Sequence, residues 1–194
     1  MRSYLVSAFV IVALLSPSRA VAQAVDGAGV SQSASPIVIQ SFKNGISGAC
    51  AANAGLRLSV SRDRAIADAV LVVEYPMPTR DPAGRDVRCA AENQDWSAGR
   101  AIAFQIKPDH AMRFSLSFVD RNRVAYTMWT ELKGGVWQLV RIPFDEIQPN
   151  PYFQPPDAKT GMPIDVSDVK GVAFAPQDRT SGRLTIGPFV VVAK

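Results

Sequence analysis

His110 is the only imidazole in a chain of 194 residues, and Cys50 and Cys89 are the only thiols. A metal site built on two histidines is therefore impossible, and a four-thiolate zinc or iron-sulfur site is equally out of reach. Any Ser-His-Asp or Cys-His relay would have to run through His110, which follows Pro108 and Asp109 at what reads as a solvated hairpin tip. Two carboxylate pairs remain, Asp145 with Glu146 and Asp165 with Asp168. Glycoside hydrolysis needs two carboxyl groups roughly 5 to 10 Å apart, which neither spacing secures. Both pairs lie near a Pro or a Gly, where carboxylates cap turns. The residues thus assign no catalytic role, no cofactor and no metal, and the chain reads as a non-enzyme.

The N-terminus reads as a targeting segment. Arg2 supplies a short basic region, Tyr4 to Leu15 form an apolar run of 12 residues, and Ala20-Val21-Ala22 or Ala22-Gln23-Ala24 offers a small-x-small cleavage site. This pattern is that of a secretory signal peptide over residues 1–22, with cleavage alternatively after 24. The run is shorter than the roughly 20 residues that cross a bilayer, so no stable membrane insertion is expected after cleavage. The protein is expected to be secreted or periplasmic. Arg2 and Arg19 leave with the leader, so the formal charge of +4 falls by two, to +2, and no basic stripe remains for nucleic acid. In an oxidising compartment the even pair Cys50 and Cys89 is expected to form a disulfide. Closing that loop would stabilise the fold by roughly 4 kcal/mol through loss of unfolded-chain entropy.

Residues 23–35 are small, polar and aperiodic, as in a flexible tether, and residues 36–194 read as one domain. There the apolar residues fall into nine short runs that favour a period of two: 37–42, 56–60, 69–75, 101–107, 112–119, 124–132, 136–142, 171–175 and 183–192. Gly, Pro, Asp and Asn clusters separate them. The pattern predicts an all-β sandwich of two antiparallel sheets with about eight or nine strands. Helical signal is confined to one or two turns at 62–69 and a single turn at 144–147.

The centre of the chain is the most informative. Met112, Phe114, Leu116 and Phe118 alternate with Arg113, Ser115 and Ser117, which marks one core face and one wet face. A loop at 120–122 with Asn122 left-handed would set Phe118, Leu116 and Phe114 opposite Val124, Tyr126 and Met128. Trp129 would then lie on the wet face with Thr127 and Glu131. A two-residue loop would bury Trp129 and expose Tyr126 instead. Gly134-Gly135 would close a three-stranded meander, bringing Arg141 to the same face as Arg113, Trp129 and Glu131.

Several segments resemble the galactose-binding-like jelly rolls. They are Asp95-Trp96-Ser97, the strand Ala101 to Lys107, Trp137 to Phe144 (W-Q-L-V-R-I-P-F), and Asp165 to Phe174 (D-V-S-D-V-K-G-V-A-F). The resemblance is to carbohydrate-binding modules of family 11 and to the complex I intermediate-associated protein 30 family, and it spans residues 37–192. It implies a non-catalytic sandwich whose sheet face holds a sugar chain by aromatic stacking and hydrogen bonds. Arg113, Trp129, Glu131 and Arg141 are then the candidate ligand-binding set, with Tyr126 as the alternative platform. Trp137 reads as packing and Trp96 as a lid over one end of the core. The Pro-rich segment 148–163 is either one wall of the groove, through Tyr152 and Phe153, or a cover over the sandwich end. Related jelly rolls carry a structural calcium between their first and last strands. Here Gln40-Ser41-Phe42-Lys43 and Thr185-Ile186-Gly187-Pro188 lack the carboxylates for it. Two functions follow: a secreted or periplasmic module that recognises a glycan or polysaccharide, or an interaction or assembly-factor domain of the same fold that binds a protein partner.

Overall fold

The computed structural model describes residues 35–46, 49–53, 55–66, 68–78 and 85–193. The expected signal peptide and nearly all of the tether lie outside them. Among the described residues thirteen strands are formed: β1 (Ile37–Gln40), β2 (Cys50–Ala52), β3 (Arg57–Asp63), β4 (Asp68–Tyr75), β5 (Val87–Ala90), β6 (Ala101–Pro108), β7 (Met112–Val119), β8 (Ala125–Leu132), β9 (Gln138–Pro143), β10 (Gln148–Pro149), β11 (Gly171–Pro176), β12 (Gly182–Ile186) and β13 (Phe189–Val192). The architecture is the all-β sandwich of two antiparallel sheets that the periodicity implies, with more strands than the nine runs. Where the structure describes it, the 62–69 segment is not helical: Arg62 and Asp63 end β3 and face Ala69 and Asp68 at the start of β4.

One sheet has six strands in the order β10-β8-β7-β11-β5-β2. The other has seven, organised around β6. Along one edge β6 pairs with β9; along the other it meets β13 through Ala101–Ala103 and β12 through Ile106–Pro108, end to end. Gly187 and Pro188 break the apolar run 183–192 into those two strands, since proline cannot supply a ladder N–H. β12 continues to β4 and β3, and β13 to β1.

The inward positions of both sheets meet in an aromatic centre. Phe104 of β6 and Phe189 of β13 face Phe114 of β7 and Phe174 of β11, with ring centroids 4.8 to 6.0 Å apart. Trp96 is fully buried at one end, edge-on to Phe118 at 5.5 Å, and its indole N–H donates to the Asn93 carbonyl at 2.8 Å. Trp137 is half-buried ahead of β9. Cys50 and Cys89 are bonded, in direct register between β2 and β5.

His110 is not the freely solvated residue that its position suggests. Its Nδ1 lies 2.7 Å from Asp109 and its Nε2 2.6 Å from Asp178, on the loop between β11 and β12. The hydrogen bond to Asp178, opposed by desolvation and reinforced by the charges of Asp109 and Asp178, raises the imidazole above its ordinary range. A proton held more tightly in the folded state contributes stability fully below the unfolded pKa of about 6.5, and that contribution is lost as pH rises through the raised value. The urea midpoint is therefore expected to fall between about pH 6 and pH 9, and His110→Gln to flatten that slope. Equal slopes in the two proteins would refute the assignment.

Candidate functional site

The outward face of the six-stranded sheet is set by the alternation along β7. Phe114, Leu116 and Phe118 are buried in the core, which turns Arg113, Ser115 and Ser117 outward. β8 follows in antiparallel register, with Ser117 opposite Thr127, Ser115 opposite Trp129, and Arg113 opposite Glu131. The connecting turn differs from expectation: Val119 pairs with Ala125, and the left-handed residue is Arg123 (φ 63°), not Asn122. Asp120 fixes this longer turn, its buried carboxylate accepting the Val124 and Asp165 amides at 2.9 and 3.0 Å. The register thereby slips by two residues, which preserves the face of every side chain.

Across this face runs a groove of about 970 Å³. Arg88, Ala173, Ser117, Thr127 and Gln148 form one row over five neighbouring strands. Most of the floor is small, so a ligand can lie close to the sheet. The Ser117 and Thr127 hydroxyls are 2.9 Å apart, and Asn150 donates to Thr127 at 2.9 Å. Gln177 donates to Ser115 at 2.9 Å. Phe153, Arg121, Arg123, Arg88 and Lys170 also line the groove. Its carboxylates are engaged by neighbours: Asp86 with Arg88, Asp168 with Lys170, and Asp120 with backbone amides.

The structure brings four of the six candidate residues together. Trp129 is 36% exposed on the outer face, with the Arg113 guanidinium 5.7 Å from its ring centre and the Tyr152 ring edge-on at 6.2 Å. Glu131 lies 3.9 Å from Arg113. The other two are elsewhere. Tyr126 is only 3% exposed and stacks on Phe118 inside the core at 5.6 Å, and desolvation raises its phenol above the usual range. Arg141 is on β9, which belongs to the seven-stranded sheet and places it opposite Ala103. Gly134-Gly135 closes no meander. The chain crosses there between sheets, because β9 takes the open edge of β6 and aligns Val140 and Ile142 with Phe104 and Ile102.

The 148–163 segment is fastened along the edge of β8 and is not a loose cover. Gln148 and Pro149 pair with Thr127 and Tyr126. Gln154 bonds both the N–H and the carbonyl of Ala125 at 2.9 Å. Asn150 caps the amides of Tyr152 and Phe153 at 2.9 and 3.2 Å. Tyr152 is consequently displayed beside Trp129, and Phe153 on the groove wall. Sequence reasoning did not single out the floor of Ser115, Ser117, Thr127 and Ala173, nor Arg88 and Lys170 on the walls. The serine alternation in β7 is the one signal that pointed there.

No protein-family model matches the chain, and no curated protein matches its sequence. Solved structures do match in shape. The family 11 carbohydrate-binding module of a cellulosomal cellulase of Clostridium thermocellum superposes with TM-score 0.62 at 17% identity, covering 82% of this chain and 95% of that one. The Clostridium thermocellum family 11 module in complex with a β-1,3-1,4-mixed-linked tetrasaccharide superposes with TM-score 0.62 at 18% identity, covering 83% and 98%. An exo-β-agarase matches with TM-score 0.62 at 13% identity, over 81% of this chain and 25% of the agarase. The chain has the galactose-binding-like jelly-roll fold of these modules.

Proposed function

We propose that the protein is a non-catalytic, exported binding module that holds a carbohydrate chain in the groove of the six-stranded sheet. The observation that carries this reading is the aromatic pair Trp129 and Tyr152 next to a small-residue floor bearing hydroxyl and amide groups, Trp129 lying opposite Ser115 of that floor though outside the groove lining itself. A pyranose presents an apolar C–H face and a hydroxyl edge, which such a combination serves through stacking and hydrogen bonding. The solved family 11 module with a tetrasaccharide bound, on the same fold, supports it. The disulfide supports export through the N-terminal signal peptide.

Affinity electrophoresis of the mature protein through polysaccharide gels tests the reading. Trp129→Ala and Tyr152→Ala are each expected to weaken retention about three- to tenfold. Leu139→Ala, on the outer face of the other sheet, is expected to leave it unchanged. Failure of every polysaccharide to retard the protein would overturn the proposal. A protein-interaction domain would then take its place, favoured by the exposure of Tyr152, Phe153 and Met162 within one loop.

A further inference from the structure

The groove's cations are arranged in a way that stacking on a neutral sugar does not require. Arg88 is held by Asp86 through its Nε at 2.5 Å, and Arg123 by Asp157 through its Nε at 3.0 Å. Arg121 uses one Nη, donated to the Ser167 hydroxyl at 3.3 Å. Each exposed guanidinium is thus steadied from one side, and among the described residues the Nη1 and Nη2 of Arg88 and Arg123 make no hydrogen bond. Two terminal N–H groups in one plane are the fork that grips a carboxylate or sulfate in bidentate fashion. Lys170 adds a third kind of anchor, spending donors on Asp168 and Gln94.

Position reinforces chemistry. Arg88 stands on β5 in the same row as Ser117, two strands away, which is about 10 Å at ordinary strand spacing. Arg121 and Arg123 flank the end of the groove at the β7–β8 turn, while Trp129 and Tyr152 stand outside the lining beside its Ser115 side, toward Arg113. Arg88, Arg121, Arg123 and Lys170 all line the groove; the carboxylates lining it are Asp86, Asp168 and the buried Asp120. The aromatic pair beside the groove therefore suits a ring face, and the groove's β7–β8-turn end suits a negative substituent.

Resting on the glycan reading above, we infer that the groove selects an anionic glycan, one whose sugars carry oxyanion groups, either uronate carboxylates or sulfate esters. The aromatic pair holds a ring, and the Nη forks of Arg88 and Arg123 hold the oxyanions, with Arg121 and Lys170 adding positive potential between them.

Matched polymers test this with the mature protein in affinity gels. A sulfated galactan is set against agarose, and polygalacturonate against its methyl ester. The charged member of at least one pair is expected to bind about tenfold more tightly at low salt and to lose most of that advantage at high salt. The pair that shows the difference identifies sulfate or uronate. Arg88→Gln and Arg123→Gln are each expected to cost about tenfold against the charged polymer and little against the neutral one; both side chains are exposed, so thermal unfolding serves as the folding control. If neutral and charged polymers bind alike and the arginine variants change nothing, the anionic inference fails while the glycan reading stands. If no polymer binds, both fail. If duplex DNA binds as well as the charged glycan, the site is a general polyanion surface and the inference is overturned.

Discussion

Asp178→Ala is expected to lower the stability of the fold by about 3 kcal/mol, because it breaks an ion pair from which water is largely excluded. Arg85 is only 3% exposed, and its Nη2 lies 3.4 Å from Asp178 Oδ1. The guanidinium also donates to the carbonyls of Pro76 at 2.9 Å and Thr180 at 3.4 Å, and sits 5.5 Å over the Tyr75 ring. Those carbonyls satisfy donors but do not cancel the charge. Among the described residues, removing the carboxylate would leave the buried guanidinium with carbonyl dipoles in place of its ion-pair partner, and would strip His110 and Thr180 of the Oδ2 they hold at 2.6 and 3.0 Å. Tyr75, whose phenol is pushed far above its ordinary range by burial and then by the charge of Asp178, would lose its neighbouring acceptor. Urea unfolding measures the effect: the midpoint falls while the slope is unchanged. Glu131→Ala, which opens the exposed pair with Arg113 at 3.9 Å, serves as the contrast and is expected to change stability by less than about 0.5 kcal/mol. A loss below about 1 kcal/mol for Asp178→Ala would show that the cluster is solvated in solution.

The elements legible from sequence were those whose pattern is local. In β7 apolar and polar residue types alternate from Met112 to Phe118, so its two faces follow from its own side chains. β2, β5 and β10 carry no such signal. Cys-Ala-Ala, Val-Arg-Cys-Ala and Gln-Pro are too short and too small to show a period, and they become strands because β5, β11 and β8 respectively offer them an open edge. Arg141 illustrates the same limit more sharply. A glycine pair after a strand reads as a hairpin, yet the partner of β9 is β6, where Ile106 faces Gln138 and Ala101 faces Pro143, well before the turn in the chain. Long-range pairing of that kind leaves no mark in the intervening turn.

The candidate site was half-visible for a related reason. Trp129, Arg113, Glu131 and Tyr152 announce themselves by type, and the alternation rule placed the first three on the correct face even though the turn was misassigned by two residues. A slip of two preserves orientation, whereas a slip of one would have exchanged Trp129 for Tyr126. The groove floor carries no such announcement. Alanine and serine are informative there by what they leave vacant, a property of the assembled sheet. His110 was misread because its partner Asp178 lies 68 residues away and reaches it only when β12 aligns with β6.

Replacing both Cys50 and Cys89 by alanine is expected to cost about 4 kcal/mol and to lower the thermal midpoint by roughly 8 to 16 °C. The two residues are 39 apart in sequence, and releasing that loop restores entropy to the unfolded chain that the native fold must overcome. The register of the bond gives the effect a location. β2 has three residues, borders only β5, and ends the six-stranded sheet. Without the bond its few ladder hydrogen bonds must hold it alone, and β5 becomes a frayed edge strand. β5 is also the strand that presents Arg88 to the groove. The variant, or the native protein in reductant, is therefore expected to lose the proposed binding to charged glycan at temperatures well below global unfolding, while contacts at Trp129 and Tyr152, three strands from β5 on β8 and its loop, persist longer. Amide hydrogen exchange distinguishes this from simple global destabilisation: protection should fall first across residues 87–90 and last across β7 and β8. Uniform loss of protection over the whole sheet would instead mean that the bond acts only through the unfolded state, with no local hold on the Arg88 wall.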